Sequence, residues 1–313
     1  MRTYIARRAL MLFPVLVGVS VATFLMIHIA PGDPVDLMMP DYGTAEDVAR
    51  IRARLGLDQP LHIQYFRYAA NVLRLDFGRS IRTNRLVKNE ILSRWPMTIE
   101  LTVASLLVAV GLGIPLGVLS AVKQNSVLDY TCMVGALIWV CMPSFFFALL
   151  LQLIFAMSLK LFPVFGRAGP PWTWEGFLSL VLPAVSLGAR SAAILARLSR
   201  SSTLEVLRQD YIRTARAKGL AERVVVYKHA LKNAVIPVAT VVGLQFGGLL
   251  GGAFITETIF ARPGVGRFAV LAIFNRDIPV IQAIALMMAV IFVMCNLAVD
   301  LLYAYLDPRI RYD

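Results

Sequence analysis

Histidine and cysteine are the side chains of this sequence best suited to metal binding or nucleophilic chemistry, and both are scarce. The 313 residues include three of each. No histidine has a cysteine, a second histidine or an acid at the spacing of a metal ligand set. The cysteines lie in apolar runs, which favours small buried side chains over a disulfide framework. The residues concerned are His28, His62, His229, Cys132, Cys141 and Cys295.

The sequence also lacks the motifs that carry enzyme chemistry. It contains no G-x-x-x-x-G-K-[ST] to hold nucleotide phosphates, no H-E-x-x-H zinc motif and no G-x-S-x-G nucleophile turn. No nucleophile has a neighbouring base, and no acidic pair lies within an apolar run. We therefore predict that the chain is not an enzyme and that it binds no metal or cofactor. Any energy that drives it must enter through another protein.

The composition indicates a membrane protein. Apolar residues make up 58% and charged residues 16%, against about 25% charged in a soluble domain. The net charge of +12 is better explained by positive loops on the cytoplasmic side of a bilayer than by nucleic-acid binding. Six apolar runs are candidates to cross a hydrocarbon core of about 30 Å. We predict an all-α integral membrane protein with six transmembrane helices.

The apolar runs set the expected boundaries. The first run is longer than the core of a cleaved signal peptide, which is about 7–15 residues, so we expect an uncleaved span. The predicted cytoplasmic segments contain 15 basic residues, which places both termini in the cytoplasm. Spans are expected at about residues 9–30, 98–122, 130–159, 176–196, 234–256 and 278–302. The remaining segments are the N-terminus (1–8), an external segment (31–97), a cytoplasmic loop (197–233) and the C-terminus (307–313), with a membrane domain over 98–306.

The external segment at residues 31–97 is predicted to be helical. Thr44 and Asp47 resemble a capping box, and further helices are expected at residues 60–75 and 84–95. The segment is either a solvated cap on the spans, or an external gate or docking surface for a binding protein. The sequence leaves both alternatives open.

Residues 197–237 form the most strongly patterned polar stretch. Up to Asn233 it has nine lysines or arginines against three acids. A hydroxyl residue at 201–203 is expected to begin a helix, Gly219 to end it with a positive φ, and a second helix to follow from Ala221. Charge alone would suit anionic lipid headgroups, whereas two short amphipathic helices joined at a glycine favour docking to another protein. The expected face of the first helix is Leu204, Leu207, Tyr211, Thr214 with Ala215, and Lys218.

This stretch resembles the coupling loop of ABC-transporter permeases. The resemblance lies in residues 210–220, DYIRTARAKGL, and residues 229–234, HALKNA. The general pattern is Glu-Ala-Ala, three residues, then Gly. Arg213-Thr214-Ala215 stands in those places here, a variant typical of the dipeptide, oligopeptide and nickel subgroup. Residues 31–34, 55–60, 76–80 and 306–312 also resemble the first permease type of that subgroup, so the likeness covers nearly the whole chain.

The resemblance implies a type I ABC importer permease in a bacterial cytoplasmic membrane. Its implied partners are a second permease, two ATPase subunits that hold ATP and Mg²⁺, and an external substrate-binding protein. The implied cargo is a dipeptide or short peptide, with glutathione or a nickel chelate as alternatives. The residues expected to contact the ATPase subunit are Glu205, Asp210, Tyr211, Arg213, Thr214, Ala215, Arg216, Ala217, Lys218, Gly219 and Leu220.

Two features of the spans bear on the path through the membrane. Pro143 is expected to kink the third span. Arg190 lies in the fourth, and a charge at bilayer depth costs roughly 2.5 kcal/mol or more. We expect Arg190 to lie near the cytoplasmic end and to extend to the interface; a role in the pathway or in an interface is the alternative.

Glycines of the fifth run recur at four-residue steps, which predicts a close helix-packing seam. The partner of the seam is another helix of this chain or a second permease. The glycines are Gly243, Gly247 and Gly251, with Gly248 and Gly252 beside them.

The rival class is a secondary transporter driven by an ion gradient. That class should show acids within its spans or an inverted repeat. In the sequence we find no acid at mid-span and no clear repeat. A membrane-anchored assembly subunit would leave the helix pair around Gly219 unexplained. We therefore predict that ATP hydrolysis in partner subunits drives the spans between outward-facing and inward-facing states.

Overall fold

The computed structural model describes residues 2–29, 46 and 58–306. These residues are almost entirely helical and contain no β-strand. The predicted turn at 31–34, most of the predicted helix at 44–55 and residues 307–313 lie outside the described part. The helices are α1 (Arg2–Ile29), α2 (Leu61–Leu73), α3 (Val87–Val122), α4 (Val127–Cys141), α5 (Ser144–Ser158), α6 (Trp174–Leu207), α7 (Asp210–Ala217), α8 (Glu222–Ile259), α9 (Val265–Phe274) and α10 (Ile278–Leu306).

Four helices of the described part are long and apolar enough to cross a membrane: α3, α6, α8 and the Ile278–Val299 part of α10. The pair α4–α5 passes the same test when taken together, and α1 contributes a shorter apolar stretch, Leu10–Met26. These elements follow the order of the six predicted spans. The position of the membrane along them stays a prediction.

The third predicted span is broken rather than kinked, because α4 and α5 meet at an angle of 108°. Met142 leaves the helical region with a ψ of 129°, and Pro143 precedes the first residue of α5. Proline crowds the backbone of the residue before it and drives that residue out of the α region. The position predicted for the bend, Pro143, is therefore confirmed, but the change of direction is far larger than a kink.

α6 runs further than the sequence predicted. It continues through Ser201, Ser202 and Thr203 to Leu207, so the helix start predicted there is wrong. Its 34 residues make it about 51 Å long, roughly 20 Å more than the hydrocarbon core of a bilayer. The charged residues after the apolar run therefore continue the same helix instead of starting a new one. In the same way, α3 joins the predicted external helix at 84–95 to the second span.

The chain forms two compact units, of which the first comprises residues 1–96 and 264–293. In this unit α1 packs on α2 through Phe24, whose ring lies 5.5 Å from that of Tyr65 and 5.8 Å from that of Tyr68. Both tyrosine hydroxyls form hydrogen bonds to hydroxyl side chains of α1. The predicted helix at 60–75 is confirmed as α2.

The second unit comprises residues 97–263 and 294–313. α6 packs against α3, α4, α5 and α8, and its leucines and alanines supply half of the buried residues in two apolar clusters of this unit. The backbones of α3 and α6 approach closely at Gly113 and Gly117. A Cβ at Gly113 would lie 2.6 Å from the Ala192 carbonyl oxygen, and one at Gly117 would collide with the Ala196 carbonyl oxygen. We did not predict this seam, although its glycines have the four-residue step that marked the seam predicted on α8.

Candidate functional site

The candidate site is the helical corner formed by the end of α6, by α7 and by the start of α8. Gln209 separates α6 from α7 with an extended backbone, at a ψ of 148°. This break resets the helical phase, so the face predicted for one continuous helix is wrong. Tyr211 and Lys218, which were assigned to that face, are both exposed.

A small apolar core holds α7 against the start of α8. Ile212 is fully buried and Ala215 is 7% exposed, and both pack with Val225 and Ala230 of α8. Sequence reasoning missed Ile212. Its three-residue spacing to Ala215 is a helical signal, but it becomes readable only when the helix is known to begin at Asp210.

Gly219 makes the corner between α7 and α8, as predicted, with a φ of +78°. Its N–H donates to the Arg216 carbonyl at 2.9 Å, and the N–H of Leu220 donates to the Ala215 carbonyl at 3.4 Å. This pair of bonds is the Schellman motif, which favours glycine because its φ is positive. No atom of the described residues lies within 4 Å of a Cβ built at Gly219, so backbone conformation rather than space favours glycine.

An ion pair crosses the same corner. Arg216 Nε lies 3.0 Å from Glu222 Oε2, and Arg216 Nη2 lies 2.7 Å from Glu222 Oε1. The hydrogen bonds to Glu222 raise the pKa of the Arg216 guanidinium. The two side chains are 42% and 53% exposed, so solvent screens the pair and its net contribution to stability is about 0–1 kcal/mol. Its bidentate geometry instead restricts the angle between α7 and α8.

The outer face of α7 is polar and largely basic. Arg213 and Asp210 form an exposed pair at 3.3 Å, and the Tyr211 hydroxyl accepts a hydrogen bond from Asn233 Nδ2 at 2.7 Å. Ala215 lies in the core beneath this face. The remaining predicted contact residues are exposed: Glu205, Asp210, Tyr211, Arg213, Thr214, Arg216, Ala217, Lys218, Gly219 and Leu220.

A buried ion pair fixes α6 shortly before the corner. Arg200 Nε and Nη2 each lie 2.7 Å from one carboxylate oxygen of Asp129, which is 2% exposed. Ser120 donates to the same carboxylate, and the N–H of Asn125 does so at 3.0 Å. The pair joins α6 to the start of α4. Sequence reasoning missed it because the two residues are 71 positions apart.

A second cluster of buried charges lies at the other end of α8. Glu257 is fully buried near the end of α8, and it accepts a hydrogen bond from Thr98 at 2.7 Å. Arg262 is also fully buried and binds Glu100 at 2.7 Å, and Arg167 binds Glu100 at 3.0 Å. These acids have polar partners, as a structural brace requires.

The glycines of the predicted α8 seam have different surroundings. A Cβ at Gly243 would lie 2.6 Å from a Val299 methyl group, and one at Gly252 would lie 3.0 Å from a Leu187 methyl group. Gly247 is buried. Within the described residues nothing lies closer than 4.0 Å to a Cβ at Gly248 or Gly251. Gly243, Gly247 and Gly252 therefore pack within the chain, whereas Gly248 and Gly251 have no close neighbour among the described residues.

Two protein-family descriptions match nearly the whole chain. They are "Binding-prot-dependent transport system membrane comp, N-term" over residues 1–102 and "Binding-protein-dependent transport system inner membrane component" over residues 113–312.

Two curated proteins align with the chain over its full length and theirs. The chain is 47% identical over 333 residues to the dipeptide transport system permease protein DppB of Alkalihalophilus pseudofirmus. It is 44% identical over 312 residues to the glutathione transport system permease protein GsiC of Salmonella paratyphi A.

Among solved structures, the chain resembles a chain of the MetNI methionine ABC transporter in an inward-facing conformation. The TM-score is 0.59 at 17% identity, over 69% of this chain and 96% of that chain. At this identity the likeness shows a shared fold.

Proposed function

The chain belongs to the family of binding-protein-dependent transport system inner membrane components, and from this premise we propose that it is the permease subunit of an ATP-driven importer of dipeptides and short peptides. The cargo is supported by the 47% identity to a dipeptide permease over the full length of both chains. The observation that carries the mechanism is the corner at Gly219, where a buried core holds an exposed polar helix in a fixed position.

The corner is suited to transmit movement from another protein. The outer face of α7 binds an ATPase subunit, and displacement of α7 reaches α8 through the Ile212 core and the Arg216–Glu222 pair. The Arg200–Asp129 pair carries movement from α6 to α4. The chain itself hydrolyses no nucleotide: ATP and Mg²⁺ are held in the partner subunits, and this chain binds no cofactor of its own.

The assembly contains more than this chain. A binding-protein-dependent permease works with an external substrate-binding protein and with ATPase subunits. The proposed particle has two ATPase subunits and a second permease of similar fold. Gly251, where nothing of the described chain lies within 4 Å of an added Cβ, leaves a helix surface for that permease. The chain is a multi-pass protein of the inner membrane, and the excess of basic residues in residues 1–8, 123–129, 197–233 and 307–313 supports cytoplasmic termini.

Reconstitution tests this function. Proteoliposomes with both permeases, the ATPase subunits and the binding protein should take up a radiolabelled dipeptide only when ATP is enclosed in the lumen, where the ATPase subunits face it. Liposomes that contain this chain alone, under a proton or sodium gradient, should take up none. Uptake by the single chain without nucleotide would show a secondary transporter and overturn the proposal.

Glutathione is the second candidate cargo, because the chain is 44% identical to a glutathione permease over its full length. Uptake assays with labelled dipeptide and labelled glutathione, each in the presence of the other unlabelled compound, separate the two. We expect unlabelled dipeptide to suppress glutathione uptake more strongly than the reverse.

A further inference from the structure

A cavity of about 330 Å³ lies where α4 and α5 separate, against α6 and α8. All of its lining residues belong to the second unit. The volume is within the range of small-molecule sites, which begins at about 300 Å³. Trp139 and Phe147, one on each side of the Pro143 break, form an aromatic wall with ring centres 6.3 Å apart. The cavity therefore exists because α4 and α5 diverge at this proline.

Arg190 provides a positive charge on the α6 side of this cavity. It lies halfway along α6, which continues for 17 residues to Leu207, and its side chain is exposed to the cavity. The expected position of Arg190 near the cytoplasmic end of the membrane span stays a prediction, because α6 is longer than the span. Arg190 forms no hydrogen bond or ion pair with any described residue.

The buried and half-buried arginines of this unit have acidic partners, whereas exposed ones such as Arg197 have none among the described residues. Arg262 and Arg167 share Glu100, and Arg200 binds Asp129 with two hydrogen bonds. A guanidinium at membrane depth is costly unless an anion or a set of acceptors satisfies it. Arg190 is more exposed than these three, but it lines a cavity between helices and has no acidic partner there.

Hydroxyl and amide groups converge on the same space. Ser186, one helical turn before Arg190, lines the cavity and is only 3% exposed, and its Oγ has no hydrogen-bond partner in the described part of the chain. Next to Arg190 on α6, Ser191 Oγ donates to Gln245 Oε1 of the facing helix α8 at 3.3 Å, and both residues line the cavity. A mainly apolar cavity with a few convergent polar groups is the usual form of a ligand site. A buried hydroxyl without a hydrogen-bond partner is destabilising, and a ligand that supplies the partner removes this penalty.

We propose that this cavity binds the carboxylate end of a short peptide during its passage through the permease, with Arg190 as the partner of the carboxylate. The proposal rests on the proposed import of peptides and adds a binding site within the spans. Arginine binds a carboxylate through two parallel hydrogen bonds, and Ser186 provides a third donor. The aromatic and aliphatic walls contact the rest of the peptide without selecting its side chains, because apolar contact has no directional requirement.

The test uses the complete importer in proteoliposomes with two probes, alanyl-alanine and its C-terminal amide. Three variants are compared with the wild type: Arg190→Gln, Arg190→Lys and Lys123→Gln. Lys123 is an exposed cation outside the cavity, so its replacement controls for the loss of one positive charge. The affinity of the separate binding protein for each probe is measured alongside, so that its own preference can be subtracted.

We expect Arg190→Gln to lower the uptake rate of alanyl-alanine by about tenfold, the size of one charge-assisted hydrogen-bonding contact. Uptake of the amide should fall by less than about twofold, because the amide offers no anion to lose. Arg190→Lys should keep part of the rate, and Lys123→Gln should keep all of it. Stimulation of the ATPase by the loaded binding protein should persist in each variant.

Other outcomes overturn the proposal. Equal loss for both probes would show that Arg190 does not read the carboxylate. Loss of the second permease from the purified Arg190→Gln complex would assign the arginine to a subunit interface. An unchanged rate in Arg190→Gln, with normal uptake by the wild type, would overturn this site alone. Wild-type importer that transports neither probe would overturn the proposed cargo itself.

Discussion

Arg216 of α7 and Glu222 of α8 are joined by two hydrogen bonds across the corner at Gly219, with N–O distances of 3.0 and 2.7 Å. The pair is exposed, whereas the neighbouring Ile212 is fully buried. The position of α7 therefore depends mainly on the apolar core, and the ion pair restricts the angle between α7 and α8. This division of roles distinguishes a docking element from a loop that only carries charge.

Ile212→Ala should release α7 from α8. Removal of a buried isoleucine costs roughly 2–4 kcal/mol. The backbone amides of residues 210–218 should exchange with deuterium at least about 30-fold faster, because local opening then costs less free energy. Hydrogen exchange of the detergent-solubilised chain measures this directly. Glu222→Gln is the control, and it should change the exchange rate of the same amides by less than about fivefold; the reverse order of the two variants would contradict the account.

Gly219→Val should weaken coupling between hydrolysis and transport. The site has room for a side chain, so the penalty comes from the positive φ, at about 1–2 kcal/mol for a residue with a Cβ. The ratio of peptide imported to ATP hydrolysed should fall about fivefold or more. Gly219→Asn is the matched variant, because asparagine tolerates a left-handed backbone, and it should keep most of the ratio. Similar losses in both variants would point to side-chain contact instead.

The sequence predicted the glycine corner because the signals for it are local: a helical pattern, a residue that tolerates positive φ, and a second helical pattern. It did not predict the end of α6 at Leu207. Arg197 and Arg200 resemble loop residues by charge, but a helix longer than the membrane carries them as a rigid extension. The Asp129–Arg200 pair was equally hidden, since tertiary packing alone brings the two residues together.

Asp129→Asn should destabilise the second unit. Asp129 is almost fully buried and receives four hydrogen bonds, and its loss as an anion leaves Arg200 without its partner. Because Arg200 is 26% exposed, we expect a loss of roughly 2–3 kcal/mol, below the upper range for fully buried pairs. Thermal denaturation in detergent should show a clear fall in melting temperature. Asp210→Asn, at a carboxylate that is 94% exposed, should leave the melting temperature unchanged.

Gly117→Ala should disrupt the contact between α3 and α6, because a Cβ there collides with the backbone of Ala196. Overpacking of this kind costs roughly 1–3 kcal/mol. The yield of monodisperse protein after size-exclusion chromatography should fall. Gly251→Ala adds the same methyl group where nothing of the described chain lies within 4 Å, so the isolated chain should tolerate it. If Gly251 lies against the second permease, this variant should instead lower the amount of that permease that co-purifies.

Cysteine cross-linking in the assembled importer tests the central claim most directly. In a variant with Cys132, Cys141 and Cys295 replaced by alanine, Ala217→Cys places a thiol on the exposed face of α7, and Trp172→Cys places one just before the other end of α6. With a short bifunctional reagent, the account predicts a permease–ATPase product from Ala217→Cys and none from Trp172→Cys. A product from Trp172→Cys alone, or no ATPase product from either, would contradict it.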